Sequence, residues 1–326
     1  MNRVAVIGGG AWGTALAQVA ARAGRETILW AREDDVVRAV NADRQNPVFL
    51  PDIDLDPNIR ATGDLAELAG CDLWLVVTPA QHMRAVLEQA PRCEAPRLLC
   101  SKGIEERSGK LLHDVAAEAS PGAPIAVLSG PTFAHEVARG MPTAVTLAAK
   151  DTDLAETLRT ALAQPAFRMY VSDDVAGAEI GGAVKNVLAI AGGVVEGRAL
   201  GQNARAALIA RGFAEMTRFG MAFGARPETL AGLSGLGDLV LTCSSVSSRN
   251  YSLGKGIGEG QAASDLMADR KTVAEGAFTA PVLARLAQAH GITMPIVDAV
   301  ADLLEGASVD RVLEGLLARP PRPEGV

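Results

Sequence analysis

The 326-residue chain has only four cysteines, Cys71, Cys93, Cys100 and Cys243, and no two form a C-x-x-C pair. None falls at metal-ligand spacing, so no metal site is expected. Three lie in or beside strand patterns, where a reduced thiol behaves as a small hydrophobe. Positive charge is also in deficit, since 31 Lys and Arg against 38 Asp and Glu leave a net charge of −7. That balance argues against a broad nucleic-acid or anionic-membrane surface, while leaving room for a local basic pocket. No apolar run approaches the roughly 20 residues needed to span a bilayer. The N-terminus enters a strand pattern directly, without the basic region, apolar core and cleavage site of a secretory signal. A cytoplasmic protein without membrane insertion is expected. Internal repeats and low-complexity tracts are missing as well. What remains is 48% hydrophobic and 21% charged, a globular chain long enough for a large core and two domains.

Glycine, by contrast, is abundant, and its placement near the start is specific. Val4 to Gly13 reads VAVIGGGAWG, in which Gly8, Gly10 and Gly13 give the spacing G-x-G-x-x-G behind a short apolar strand. A helix, TALAQVAARAG, follows, and then a second strand, ETILWA. In such a strand–turn–helix the first glycine permits a tight turn and the second lets backbone approach a pyrophosphate. The third lets the helix pack close to the strand. The helix N-terminus adds unpaired N–H groups and partial positive charge. A dinucleotide site is predicted. After the second strand comes Trp30-Ala31-Arg32-Glu33, where an acidic residue binding the adenosine ribose is the NAD pattern. Arg32 suits a 2′-phosphate and Glu33 suits NAD, so NADP(H), NAD(H) or both remain open. The plain alternative is a pair of ordinary loop charges.

From residue 1 to about 172, strands and helices alternate. Further strands are predicted at Asp72–Thr78, Arg97–Ser101, Ile125–Ser129, Thr143–Ala148 and Phe167–Val171, with helices between them. The expected fold class is an α/β Rossmann-type domain with a mostly parallel sheet over residues 1–172. No convincing strand follows, and residues 173–326 read as an all-helical domain with a loose tail from about 319. Among its helices, Leu208 to Met216 carries Arg211 and Glu215 paired at i, i+4. The cleft between the two domains is the default site.

Several polar groups fall where such a cleft would use them. Ser101-Lys102-Gly103 and Ser129-Gly130-Pro131-Thr132-Phe133-Ala134 each follow a strand, at the carboxyl edge where ligands bind. Lys102 also reads as a solvated loop cation. Gly181-Gly182-Ala183-Val184-Lys185-Asn186 places two glycines in a helical pattern at about 1 kcal/mol each, which suggests close approach by a backbone or ligand. Lys185 then lies among apolar neighbours, where lost solvation lowers its pKa and suits it to proton transfer. The alternative is a lysine snorkelling at the helix edge. Ser234-Gly235-Leu236-Gly237-Asp238 reads as a glycine-rich turn ending in a carboxylate that could cap the next helix. Ser248, Arg249 and Asn250 open a helix with a hydroxyl, a guanidinium and an amide, a combination suited to phosphate or carboxylate.

Taken in order, these motifs resemble the bacterial NAD(P)-dependent glycerol-3-phosphate dehydrogenases. The signatures are GGGAWGTALA, W-x-R after the second strand, SKGIE, SGPTFAHEV, the AVKN helix, SGLGDL, SSRNY and VAEG, spanning Val4 to Gly276. Gly9 and Ala11 stand where many relatives have serine or alanine, and all three required glycines are kept. The resemblance implies interconversion of dihydroxyacetone phosphate and sn-glycerol 3-phosphate, normally toward the latter and toward phospholipid synthesis. It implies that Lys185 is the proton donor and acceptor. It places Lys102, Gly130, Thr132, Asp238, Ser248, Arg249 and Asn250 at the substrate, and Asp238 is read as holding Lys185 in position. Ala11, Trp12, Arg32, Lys102, Ala134, Arg249, Val273 and Glu275 match cofactor-contacting positions. Two rivals are a related two-domain hydroxy-acid dehydrogenase and a non-catalytic NADP(H) sensor. The expected partner is a small molecule. A homodimer is left open.

Overall fold

The computed structural model describes residues 1–268 and 274–320. Its first part alternates as β1 (Arg3–Ile7), α1 (Ala11–Arg22), β2 (Glu26–Trp30), α2 (Asp34–Asp43), β3 (Ile59–Thr62), β4 (Leu73–Val76) and α3 (Met83–Gln89). It continues with β5 (Arg97–Leu99), α4 (Leu112–Ala119), β6 (Ile125–Ser129), α5 (Ala134–Ala138), β7 (Thr143–Ala148), α6 (Thr152–Leu162) and β8 (Phe167–Ser172). The strands form one sheet in the order β3-β2-β1-β4-β5-β6-β7-β8. Every neighbouring pair is parallel except β6 and β7. Leu73–Val76 is wholly buried, as a strand covered by helices on both faces must be. The chain runs outward through β2 and β3 and returns to β4 beside β1. The order therefore reverses between β1 and β4, the place where open α/β sheets bind ligands.

The strand β3 was not expected. Its four residues are too short for a periodic signal, and it lies at the sheet edge. Asn41 closes that edge: its Nδ2 donates to the Ala61 carbonyl (2.9 Å) and its Oδ1 accepts from the Ala61 N–H (2.8 Å).

Beyond β8 the described residues are helical: α7 (Val175–Gly197), α8 (Gly201–Ala222), α9 (Pro227–Ala231), α10 (Asp238–Thr242), α11 (Arg249–Gly258), α12 (Ala263–Ala268), α13 (Glu275–Ala289), α14 (Pro295–Leu304) and α15 (Val309–Leu317). The junction is fixed by Asp174. Its Oδ1 accepts from the Gly177 N–H and caps α7, while Oδ2 accepts from the Arg226 N–H. α7 is the axis of this half. It corrects the expectation of no long apolar segment, because its 23 residues are long and apolar enough to cross a membrane (mean hydropathy 1.4). Its apolar stretch is instead buried inside the protein, with Glu196 near the C-terminal end exposed. Glu179, Lys185 and Asn186 interrupt the apolar letters, which hid the segment from a search for unbroken runs.

Two local features go beyond what the sequence pattern indicates. Glu215 is buried and its carboxylate accepts from the N–H groups of Ile296 (2.8 Å) and Val297 (3.2 Å) at the start of α14. Burial pushes its carboxyl up to about 7, partly offset by those two N–H groups. The glycine-rich stretch before Asp238 is not a plain turn. Leu233–Gly237 forms a single π-helical turn that runs into α10. Most of the tail expected from about residue 319 lies outside the described residues.

Candidate active site

The glycine loop joins β1 to α1 at the carboxyl edge of the sheet. Gly8 has φ of +128°, a left-handed value, and a side chain there would meet the Val77 carbonyl at 2.9 Å. At Gly13 a Cβ would lie 1.8 Å from the Gly8 carbonyl oxygen, so only glycine lets α1 pack this close to β1. Gly10 has nothing within 4 Å of the position a Cβ would take. It is the N-cap of α1, with no side-chain cap. A strained turn, a close helix and an open helix N-terminus fit a dinucleotide pyrophosphate. Ala11, Trp12 and Gly13 form the first turn of α1, and the buried Nε1 of Trp12 has no hydrogen-bond partner among the described residues. Arg32 follows β2 with 77% of its side chain exposed, and its guanidinium is held by Glu33 at 2.9 Å.

Lys102 follows β5 and Gly130 follows β6, at the same edge. The buried Asp238 draws Lys102 and Lys185 together. Lys102 Nζ lies 2.5 Å from Asp238 Oδ2, and Lys185 Nζ lies 3.1 Å from Asp238 Oδ1. Lys102 also donates to the Gly130 carbonyl (3.0 Å). Lys185 donates to Thr242 Oγ1 (2.9 Å), which in turn donates to Asp238 Oδ1 (3.1 Å). Burial lowers the Lys185 pKa to about 8, with Lys102 adding to the effect and Asp238 opposing it. Burial alone would raise the carboxyl of Asp238, but the two ammonium groups outweigh it and hold it below the usual range. The snorkelling alternative for Lys185 fails, since the residue is 8% exposed. Capping by Asp238 fails too, because Gly237 is the N-cap of α10 and accepts nothing through a side chain.

The two glycines of α7 have separate reasons. A Cβ on Gly181 would sit 2.5 Å from the Ser234 carbonyl oxygen, so it admits the π-helical turn. One on Gly182 would crowd Ser129 Oγ at 3.0 Å and the Lys102 side chain at 3.2 Å. The second glycine therefore makes room for a site lysine.

At the start of α11, Ser248 is the N-cap and its Oγ accepts from the Tyr251 N–H (3.2 Å). Arg249 is the first helical residue. Asn250 turns inward: its Nδ2 donates to Asn186 Oδ1 (3.0 Å), and its Oδ1 accepts from the Gly276 N–H (2.9 Å). Among the described residues the second amide hydrogen of Asn250 has no partner, which leaves it for a ligand. Thr132 Oγ1 donates to the Gly130 carbonyl (3.4 Å), and Ala134 opens α5. Glu275 opens α13. Burial pushes its carboxyl up to about 7, moderated by the charge of Arg249. Val273 lies outside the described residues.

Sequence reasoning missed Thr242 and the Asn186–Asn250 pair. The first had a signal: Thr242 is four residues after Asp238, hence on the same helix face. The second had none, because it joins residues 64 apart.

The family models and the relatives of high identity name one group. The sequence model for the NAD-dependent glycerol-3-phosphate dehydrogenase N-terminus matches residues 3–155, and that for the C-terminus matches residues 174–314. Among curated relatives, a glycerol-3-phosphate dehydrogenase (NAD(P)+) of Erythrobacter litoralis is 64% identical over 321 residues, covering 98% of this chain and 97% of that one. Its counterpart in Novosphingobium aromaticivorans is 66% identical, covering 97% and 96%. The crystal structure of glycerol-3-phosphate dehydrogenase from Coxiella burnetii superposes with a TM-score of 0.92 at 39% identity, covering 98% of this chain and 99% of that one. With both halves matched in order and the relatives covered end to end, the chain belongs to the NAD-dependent glycerol-3-phosphate dehydrogenase family.

Proposed function

We propose that the chain reduces dihydroxyacetone phosphate to sn-glycerol 3-phosphate with NADPH or NADH, and runs the reverse reaction. The observation that carries this reading is the largely buried chain Lys185–Thr242–Asp238–Lys102, at the same sheet edge as the glycine loop. When bound, the nicotinamide supplies a hydride to the carbonyl carbon. Lys185 gives the proton from Nζ to the carbonyl oxygen, and Lys102 adds positive charge beside the developing oxyanion. Asp238 holds both ammonium groups, and Thr242 fixes the direction of Nζ. Arg249, Ser248 and the free amide hydrogen of Asn250 meet the substrate phosphate at the N-terminus of α11. Gly130 and Thr132 line the substrate, while Ala11, Trp12, Arg32, Ala134 and Glu275 line the cofactor.

This reading divides the chain near residue 172 into a sheet domain and a helical domain, with substrate between them. The family resemblance supports a cytoplasmic role in supplying glycerol phosphate for phospholipid synthesis. The test is oxidation of NADPH and NADH with dihydroxyacetone phosphate against a panel of 2-oxo acids. Turnover of the phosphate alone is expected. Turnover of oxo acids alone favours the hydroxy-acid dehydrogenase, and binding without any turnover favours a sensor.

A further inference from the structure

The loop between α2 and β3 contains a buried asparagine whose side chain serves the glycine loop. Asn46 is 0% exposed. Its Nδ2 donates to the Gly9 carbonyl (2.8 Å) and to Thr14 Oγ1 (2.8 Å), while its Oδ1 accepts from the Phe49 N–H (3.2 Å). Thr14 Oγ1 also reaches the Gly9 carbonyl at 3.4 Å. An amide fits both ends, since the Gly9 carbonyl needs a donor, the Phe49 N–H needs an acceptor, and the Thr14 hydroxyl takes the second amide hydrogen. The consequence follows from peptide geometry. In a planar trans peptide the C=O of Gly9 and the N–H of Gly10 point in opposite directions. Fixing the carbonyl on Asn46 therefore aims the Gly10 N–H away from the protein interior. That N–H donates to no group among the described residues, and the space beside Gly10 is open.

We infer that Asn46 is a positioning residue for the dinucleotide, setting the Gly9–Gly10 peptide so that its N–H meets the pyrophosphate. Gly9, with no side chain, cannot set that peptide itself, and α1 has no side-chain cap to do so. The inference rests on the dinucleotide reading but not on the substrate. Asn46→Asp replaces both donors with a carboxylate facing the Gly9 carbonyl and keeps the acceptor for Phe49. Titrating the protein with NADPH and with NADH, followed by cofactor fluorescence without substrate, is expected to show Kd raised about tenfold for both. The pyrophosphate is common to the two cofactors, so the ratio of their Kd values should hold. KM for cofactor should rise in parallel, with kcat at saturating cofactor changed far less, a split that a general loss of structure does not produce. Arg32→Asp gives the contrasting pattern, weakening NADPH alone. Should Asn46→Asp fail to fold, Thr14→Val removes one partner at nearly constant shape and should raise both Kd values about threefold. Kd values within twofold of wild type in the folded variant overturn the proposal. So does a loss confined to NADPH, which would place the effect at the 2′-phosphate.

Discussion

Lys185 holds its ammonium group where little water reaches, against one carboxylate and one hydroxyl. That placement sets the sign of its pH dependence. With a pKa near 8, it is an ammonium donor below that pH and a neutral amine above it. Reduction needs the donor, so kcat for dihydroxyacetone phosphate is expected to hold below about pH 8 and to fall above it. Oxidation of glycerol phosphate needs the amine, so its kcat should rise through the same range. Opposite limbs in the two pH–rate profiles are the measurement. Lys185→Ala should lower kcat by about 10² to 10⁴, the usual scale for a general acid, with NADPH affinity nearly unchanged by fluorescence. Turnover close to wild type would remove Lys185 from the chemistry.

α7 and α11 approach so closely that backbone meets backbone. A Cβ on Gly193 would lie 2.0 Å from the Tyr251 carbonyl oxygen, and one on Gly254 would lie 1.9 Å from that of Ile190. Replacing a helical glycine with alanine gains about 1 kcal/mol of propensity. Here the clash with backbone, which cannot rotate away, costs about 1–3 kcal/mol or more and decides the sign. Gly193→Ala is thus expected to lower the denaturation midpoint. Gly315→Ala in the exposed helix α15, with nothing within 4 Å, is expected to raise it slightly. A gain in both would show that α7 and α11 can separate. At this scale the sequence was informative where periodicity was long or the spacing mechanical. The glycine fingerprint, the parallel strands and the placement of Lys185 among apolar residues all follow local rules. β3 was too short to read, α7 was legible as a helix but its polar letters hid how long and apolar it is, and the π-helical turn before Asp238 looks like any glycine-rich turn. Asn46 and the Asn186–Asn250 pair act across the chain, and no local pattern records them.

The sheet half carries the cofactor loop and Lys102, while the helical half carries Lys185, Asp238 and Arg249, so the site exists only when both are folded together. On the proposed reading the start of α11 holds the substrate phosphate while Lys185 of α7 meets the reacting carbonyl, and binding energy at the first can orient the second. Unphosphorylated dihydroxyacetone should be a very poor substrate, lower in kcat as well as higher in KM. Arg249→Ala should cost much with the phosphate ester and little extra with dihydroxyacetone, a coupling readable as a double-mutant cycle. NADPH affinity measured in parallel separates any cofactor role of Arg249, and equal rates with both substrates would contradict the phosphate site. The axial helix has one more consequence, which concerns the ribosome rather than the enzyme. α7 is complete at Gly197, but α11, which covers it, begins only at Arg249. At a synthesis rate of about 5–20 residues per second, that gap of roughly 50 residues leaves the α11-facing side of this long apolar helix uncovered for about 3–10 s. Nascent chains halted near residue 240 are expected to be captured by chaperones or to pellet on release, while chains carried past α13 stay in solution. Slow codons between the two helices would lengthen that exposure without changing a single residue of the finished protein.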